Sequence, residues 1–510
     1  MVNLRSDNMD VTAFKGNNPT AMAGQLQSLI SADMSSSQRQ KANESQAYYD
    51  YKPDILKNRI FYVDGAGILK EDKYASNIKI PHSFHTELVD QKVQFLLSNP
   101  VQATVEDPGF QEKLDEYYTD EMQVFLQETL EGSSIKGYEY AFARTNSDDV
   151  LCFQVADSLK TLPVYDDNNE LVAIIRSYKK RLFKTNKYVN VFVAEVWNDK
   201  EVYFFVKDED NGAYQFDTTR DINPRPHVAA IDSQGKKLGR SYGVIPFYRL
   251  ANNRKEKTDL EPIKDLIDDY DIMNAFMSNN LQDMTEAIYV VKGYQGDDLS
   301  TLRQNVKAKK TVGVSEQGGI DIKTVDIPTE ARKTKMDLDK ENIYKFGMGF
   351  DSTAIGDGNI TNVVIKSRYS LLNMKANKAE VRLRAMLAWC NKLIVDDINR
   401  RYGSAYKADD IELTIERNAM VNDSDVANID KLEADTKQVT IATIMAAAQR
   451  LDDDSVLKLI CDQFGLDWKE VQKLLDEQEY RTGLAAGTEP KLDENGEVID
   501  DGDDAAGQVE

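Results

Sequence analysis

IPFYRLANNRKEKTDLEPIKDLIDDYDIMNAF, residues 245–276, contains the change that organises the chain, because a long helix begins inside it. Thr258 has the character of an N-cap, since its hydroxyl can accept from an orphan N–H of the first turn. Pro262 then falls in that first turn, where a missing N–H costs nothing. From there the pattern predicts helix over 258–285. Leu260, Ile267, Asn274 and Leu281 recur every seven residues, and so do Ile263, Tyr270, Met277 and Met284. That is a heptad seam with one polar interruption. Glu261, Asp265, Asp268, Asp269 and Asp271 take the other side. At 1.5 Å per residue such a helix is about 40 Å long. The pattern fits a helix packed on its own domain. It equally fits one packed against copies of itself or a neighbour, with carboxylates facing water.

Upstream of this helix the chain reads as one α+β domain over about 40–250. Residues 1–20 are polar and are expected to be mobile. A helix is expected over 21–50, stopped by Pro53 because the residue before proline avoids helical torsions. The segment HSFHTELVDQKVQFLLSNP (82–100) puts Phe84, Leu88, Val89, Val93, Phe95, Leu96 and Leu97 on one broad face at helical spacing. Another helix is expected near 109–130. Period two then takes over in YEYAFAR (138–144), LVAIIRSY (171–178), YVNVFVAEVW (188–197) and EVYFFVK (201–207), a meander of antiparallel strands.

Downstream, 286–327 reads as a small block: strand AIYVVKG, a short helix at 299–306, and strands KTVGVS and GIDIKTV. Helix returns over about 329–346. The glycine-rich stretch GMGFDSTAIGDGNITN (347–362) leads into a long helix over 363–402, followed by a strand at 411–417 and short helices over 424–480.

Composition limits the function. The 57.7 kDa chain of 510 residues carries 63 basic and 86 acidic residues, a net charge of −23. The last 23 residues hold nine acids and one lysine, a net of −8. A surface of this sign does not grip DNA over its whole area. No run approaches the roughly 20 apolar residues of a membrane span, and MVNLRSDNMDVTAF lacks a signal-type apolar core. The expectation is a protein made in the cytoplasm. Cys152, Cys390 and Cys461 are odd in number and far apart, which suits free thiols. His82 and His85 lie one turn apart as a metal pair could, but no HExxH accompanies them, so no metal or cofactor is expected. GxxxxGK[ST] is absent, so ATP hydrolysis by this chain is not expected. Nothing in the spacing of the carboxylates selects a nuclease set.

Residues 245–276 resemble the junction between the α/β wing and the first stem helix of siphophage portal proteins. The segment HSFHTELVDQKVQFLLSNPV (82–101) resembles a second characteristic stretch of that family, and the helix–block–helix order extends the similarity over about 40–480. The resemblance implies a portal fold: α/β wing, two-helix stem, small α/β clip, long wing helix and α-helical crown. Carried onto this chain, 1–39 is a flexible N-terminal segment and 40–257 the wing. Stem helices are implied at 258–285 and 328–346, with the clip at 286–327 between them. A tunnel loop falls at 347–362, the long wing helix and strand at 363–423, the crown at 424–480, and a disordered acidic tail at 481–510.

The function so implied is a ring, usually of twelve chains, at one capsid vertex, through which double-stranded DNA is packaged and ejected. Its implied partners are further copies of itself, the terminase large subunit, a head–tail connector or adaptor protein, and major capsid and scaffolding proteins. It would act in the virion after assembly in the host bacterial cytoplasm, with no membrane, no cofactor and no catalysis of its own. In the tunnel loop, Ser352, Thr353, Asn359, Thr361 and Asn362 offer weak contacts to DNA, and no Lys or Arg occurs there. Stem candidates are Asp265, Asp268, Asp269, Lys333, Lys335, Lys340 and Lys345. Clip candidates for docking are Lys307, Lys309 and Lys310. An acidic wall repels phosphate and lets the duplex slide. Two alternatives stay open: a DNA-processing enzyme such as a nuclease or terminase component, and a minor capsid or adaptor ring protein.

Overall fold

The computed structural model describes residues 11–64, 66–72, 75–184, 186–208, 212–231, 237–283, 288–292, 319–323, 328–351, 369–417, 438–464 and 468–474. The chain divides into two compact units, 1–359 with 366–419, and 360–365 with 420–510.

The N-terminal segment is not a mobile leader from residue 11 onward. Helices α1 (Thr12–Lys15), α2 (Pro19–Ser35) and α3 (Ser37–Tyr49) form there. Val11, Phe14, Met22 and Leu26 are buried with the large sheet. With Ala13 they are spaced anchors rather than a continuous apolar run, so no such run signals the packing. The helix expected over 21–50 is two helices. Ser36 adopts an extended backbone and its hydroxyl accepts from Arg39 N–H, ending one helix and capping the next. A hairpin of β1 (Phe61–Val63) and β2 (Leu69–Glu71) follows.

Helix α4 (Phe84–Leu97) forms where the 3.6-residue period places it. After β3 (Gln102–Thr104), the helix expected near 109–130 is again two, α5 (Pro108–Asp115) and α6 (Asp120–Lys136). Gly137 ends α6 with φ +86°, and a Cβ there would overlap the Glu256 carbonyl, so only glycine fits.

Strand β4 (Tyr138–Thr145) does not join the meander, as the sequence had suggested. It pairs antiparallel with β5 (Leu151–Ala156) on one side. On its other side lies β14 (Phe247–Ala251), a hundred residues on, so no local turn announces the pairing. The meander is a separate antiparallel sheet in the order β10-β9-β8-β7-β6, with β11 also on β9. Its members are β6 (Thr161–Tyr165), β7 (Leu171–Lys184), β8 (Lys187–Trp197), β9 (Glu201–Asp208), β10 (Gln215–Phe216) and β11 (Arg225–Pro226). β12 (Val228–Ile231) and β13 (Lys237–Arg240) make a small hairpin beside it.

Next come α7 (Lys264–Asp283), β15 (Ile288–Lys292), β16 (Gly319–Lys323), α8 (Thr329–Gly347) and α9 (Ser370–Tyr402). β17 (Glu412–Thr414) returns to pair with β3. The main core sits where α4, α6 and α9 meet the β4 sheet, around Val89, Val93, Leu96, Leu126, Leu130, Ala141, Leu383 and Leu387. Each of these Val and Leu side chains contributes about 1.5–3 kcal/mol by leaving water. In the second unit, 438–447 and Asp453–Phe464 are helical. The architecture is mixed helix and sheet, α+β as expected. Among the described residues no helix is long and apolar enough to cross a membrane.

Candidate functional site

The start of the helix pair is built as the sequence suggests. Thr258 Oγ1 accepts from Glu261 N–H at 3.3 Å, and Glu261 Oε1 accepts from Thr258 N–H at 3.2 Å, a reciprocal capping box. Regular helix begins only at Lys264, after the turn that holds Pro262.

α7 and α8 lie side by side, and in the chain between them β15 and β16 pair antiparallel. The first half of the heptad seam is used inside the chain. Leu260, Ile263 and Ile267 are buried with Ile343 and Tyr344 of α8, Phe84 and Leu88 of α4, and Tyr48 of α3. Tyr270 meets the Phe84 ring edge-on at 5.1 Å. Other large apolar side chains of the pair are uncovered: Phe276 and Leu281 on α7, and Leu338 and Phe346 on α8, are 44–52% exposed.

The acidic side of α7 departs from expectation. Asp271 is fully buried and takes a 2.6 Å bond from His82 Nδ1. His82 Nε2 in turn stands 3.2 Å from the Asn274 amide nitrogen. Burial raises the Asp271 carboxyl, against the pull of His82. Asp268 accepts from the Tyr48 hydroxyl and pairs with Lys264 at 2.7 Å. Asp269 pairs with Lys335, which also holds Asp339 on its own helix. Of these acids only Asp265 is exposed. Lys340 pairs with Asp351 at 3.0 Å, while Lys333 and Lys345 are exposed. The Lys335–Asp269 pair joins the two helices within one chain.

The junction of this helix pair with the body is a buried polar knot that the sequence did not disclose. Lys92, fully buried on α4, donates to Asn252 Oδ1 at 2.6 Å and Ser134 Oγ at 2.8 Å, and lies 3.3 Å from Asp259. Lys375 of α9 reaches the same Asp259 at 3.1 Å and the Gly347 carbonyl at 2.9 Å. Burial pushes the Lys92 ammonium down to about 8. Burial alone would raise Asp259, but Lys375 and Lys92 overcome it and hold the carboxylate ionised. One carboxylate thus ties α4, α9 and the root of α7, while Lys375 adds the end of α8. A cavity of about 780 Å³ opens beside the knot, lined in part by Arg254, Phe346, Lys378 and Arg382.

The glycine-rich stretch is anchored at its start. Gly347 and Gly349 are buried, and a Cβ at Gly347 would stand 2.6 Å from Leu88 Cδ1. Phe350 N–H donates to Gln91 Oε1 at 2.9 Å, and Gln91 Nε2 donates to the Phe350 carbonyl at 2.7 Å. Phe350 stacks on Tyr369 at 4.4 Å, so the two ends of the segment 351–368 meet. These two glycines allow close packing on α4. Ser352, Thr353, Asn359, Thr361 and Asn362 lie outside the described residues, as do Lys307, Lys309 and Lys310 and the expected elements at 299–306 and KTVGVS.

The histidines do not gather around a metal. His85 is buried with Nε2 3.0 Å from Ser45 Oγ, and burial lowers it to about 4. Among the described residues no cluster of three His, Cys, Asp or Glu side chains could hold a metal ion. The three thiols are free.

An α+β body thus carries a helix pair with a two-stranded antiparallel ladder in the chain between its helices, rooted in an ionic knot. The family model for phage portal protein, SPP1 Gp6-like, matches residues 31–483, and this chain belongs to that family. It is 28% identical over 385 residues to the portal protein of Bacillus phage SPP1, covering 74% of each chain. It is 27% identical over 435 residues to the portal protein of Clostridium phage phiCD119, covering 79% of this chain and 88% of the relative. A solved structure described as the neck of a native GTA particle computed with C12 symmetry is 14% identical at a TM-score of 0.34, covering 75% of this chain and 90% of the other. That last likeness is too distant to carry an argument.

Proposed function

We propose that this portal subunit assembles into a closed ring whose central channel passes double-stranded DNA, with α7 and α8 as its stem and 286–327 as the clip. In this reading the ring sits at one vertex of the virion. A separate terminase motor docks on it during packaging, connector proteins dock later, and the subunit itself catalyses nothing. The loop 347–362 meets the DNA, and 424–480 forms the crown.

The observation that carries the ring is exposed apolar surface on both stem helices. Phe276, Leu281, Leu338 and Phe346 are large, apolar and about half exposed on two neighbouring helices. Asp268, Asp269, Asp271 and Lys335 are bonded within the chain, so these four apolar side chains stand outward among a few exposed charges such as Asp265, Lys333 and Lys345. Surface of that kind marks an association face. The hairpin β1–β2 repeats the signal, since Val63 and Leu69 are 63% and 65% exposed. A lone two-stranded hairpin is marginal unless something covers it. A second copy of the chain is the occupant that fits both faces.

The channel wall differs from the uniformly acidic one. Asp265 faces outward and Asp269 is tied to Lys335, which suits a wall that neither grips nor strongly repels phosphate. Light scattering on the purified protein should give a mass that is a large multiple of 57.7 kDa, and negative-stain images should show a central pore. A stable 57.7 kDa monomer under all conditions would sink the proposal.

A further inference from the structure

The β7–β8 hairpin concentrates charge of the wrong sign for this protein. Residues 176–188, RSYKKRLFKTNKY, hold six cations and no carboxylate, within a chain of net charge −23. The register explains why they stand apart. β6 pairs with β7 only as far as Arg176, and β9 pairs with β8 only as far as Val191. Beyond those points β7 and β8 pair only with each other among the described residues, down to Lys184 opposite Lys187. At 3.4 Å per residue the free ribbon extends about 14 Å past the sheet.

Its two faces are both cationic. Alternation puts Arg181, Phe183 and Tyr188 on one face, and Lys180 and Lys187 on the other. Phe183 and Tyr188 are each 63% exposed, packed edge to face at 5.1 Å, with the Arg181 guanidinium 5.2 Å from the Tyr188 ring. Lys180, Arg181 and Lys187 are exposed. None of these residues belongs to the stem, the knot or the loop.

We propose that this ribbon binds the phosphate backbone of double-stranded DNA at a site outside the channel. A two-stranded ribbon is thin enough for the major groove, about 12 Å wide, whose walls are phosphates on both sides. Cations on both faces match two walls; a flat acidic protein surface would engage one. The protrusion also matters. At 0.1 M salt the screening length is about 10 Å, so the ribbon tip escapes most of the field of the acidic body.

The test uses the full-length protein and a covalently closed circular duplex, which cannot thread a channel. Binding is measured by filter retention between 50 and 200 mM NaCl, against a K180E/R181E/K187E variant. The variant should bind roughly tenfold or more weakly, and its log–log salt slope should fall by about 2.7, three phosphate contacts at 0.9 each. Light scattering on both proteins reports assembly separately, so failure of the ring and failure of the ribbon are distinguishable. Unchanged affinity and slope in the variant would overturn the proposal. So would displacement of the circle by a synthetic peptide of residues 488–510 at equal or lower charge concentration, since the partner would then be an acidic segment.

Discussion

His85 shows how much a single side chain can report about this fold. Its imidazole is buried on α4, Nε2 faces Ser45, and Nδ1 has no hydrogen-bond partner. Burial lowers it from 6.5 to about 4, and His227 is lowered to about 4 for the same first reason. Between these values the unfolded chain binds the proton that the folded one refuses. The stability these groups contribute is complete above about 6.5 and is lost as pH falls toward 4. Asp271, raised by burial, works in the opposite sense at the acid end. Urea unfolding at pH 7.5, 6 and 5 should therefore show a steady loss of stability. In His85→Phe the slope should be shallower by one proton, about 1.4 kcal/mol per pH unit. An identical slope would mean that the imidazole is solvated in the folded state. The sequence placed His85 on a helix beside His82 and raised the question of a metal. It could not show that Ser45 and Asp271, 40 and 189 residues away, take those two rings separately.

At the scale of elements, periodicity revealed faces but not their partners. The period of α4 and the alternation in β7, β8 and β9 were legible because each buries one continuous face locally. The heptads of α7 were equally legible. Yet their first half packs on α3, α4 and α8 of the same chain, and nothing in a repeat names what covers it. The acids of α7 looked solvent-facing because their partners Tyr48, His82 and Lys335 are remote in sequence. The packing role of the glycines at 347 and 349 was hidden for a related reason: the Leu88 side chain that excludes a Cβ lies on another helix. A side-chain swap checks this. Gly349→Ala should destabilise the chain by about 1–3 kcal/mol through overpacking against Leu88. In the Leu88→Ala background the same substitution should cost much less, giving a coupling energy of about 1 kcal/mol or more in thermal unfolding. Additive losses would show that Gly349 is needed for backbone freedom instead.

For the whole molecule, net charge and apolar surface oppose each other. Each subunit brings −23 to an assembly, of which −8 lies in residues 488–510. Subunits of like charge repel over roughly 10 Å at 0.1 M salt and over roughly 3 Å at 1 M. The stem residues Phe276, Leu281, Leu338 and Phe346 associate by a force that added NaCl does not screen. If these apolar faces hold the ring, its mass fraction should rise between about 20 and 500 mM NaCl, where screening removes the repulsion. Truncation after residue 487 removes −8 per subunit and should move that transition to lower salt. Intersubunit ion pairs would give the reverse, with rings dissociating as salt rises. The outcome thus separates the two kinds of contact. The pairing of Lys335 with Asp269 inside one chain already favours the first, because it withdraws two charges from any contact between chains.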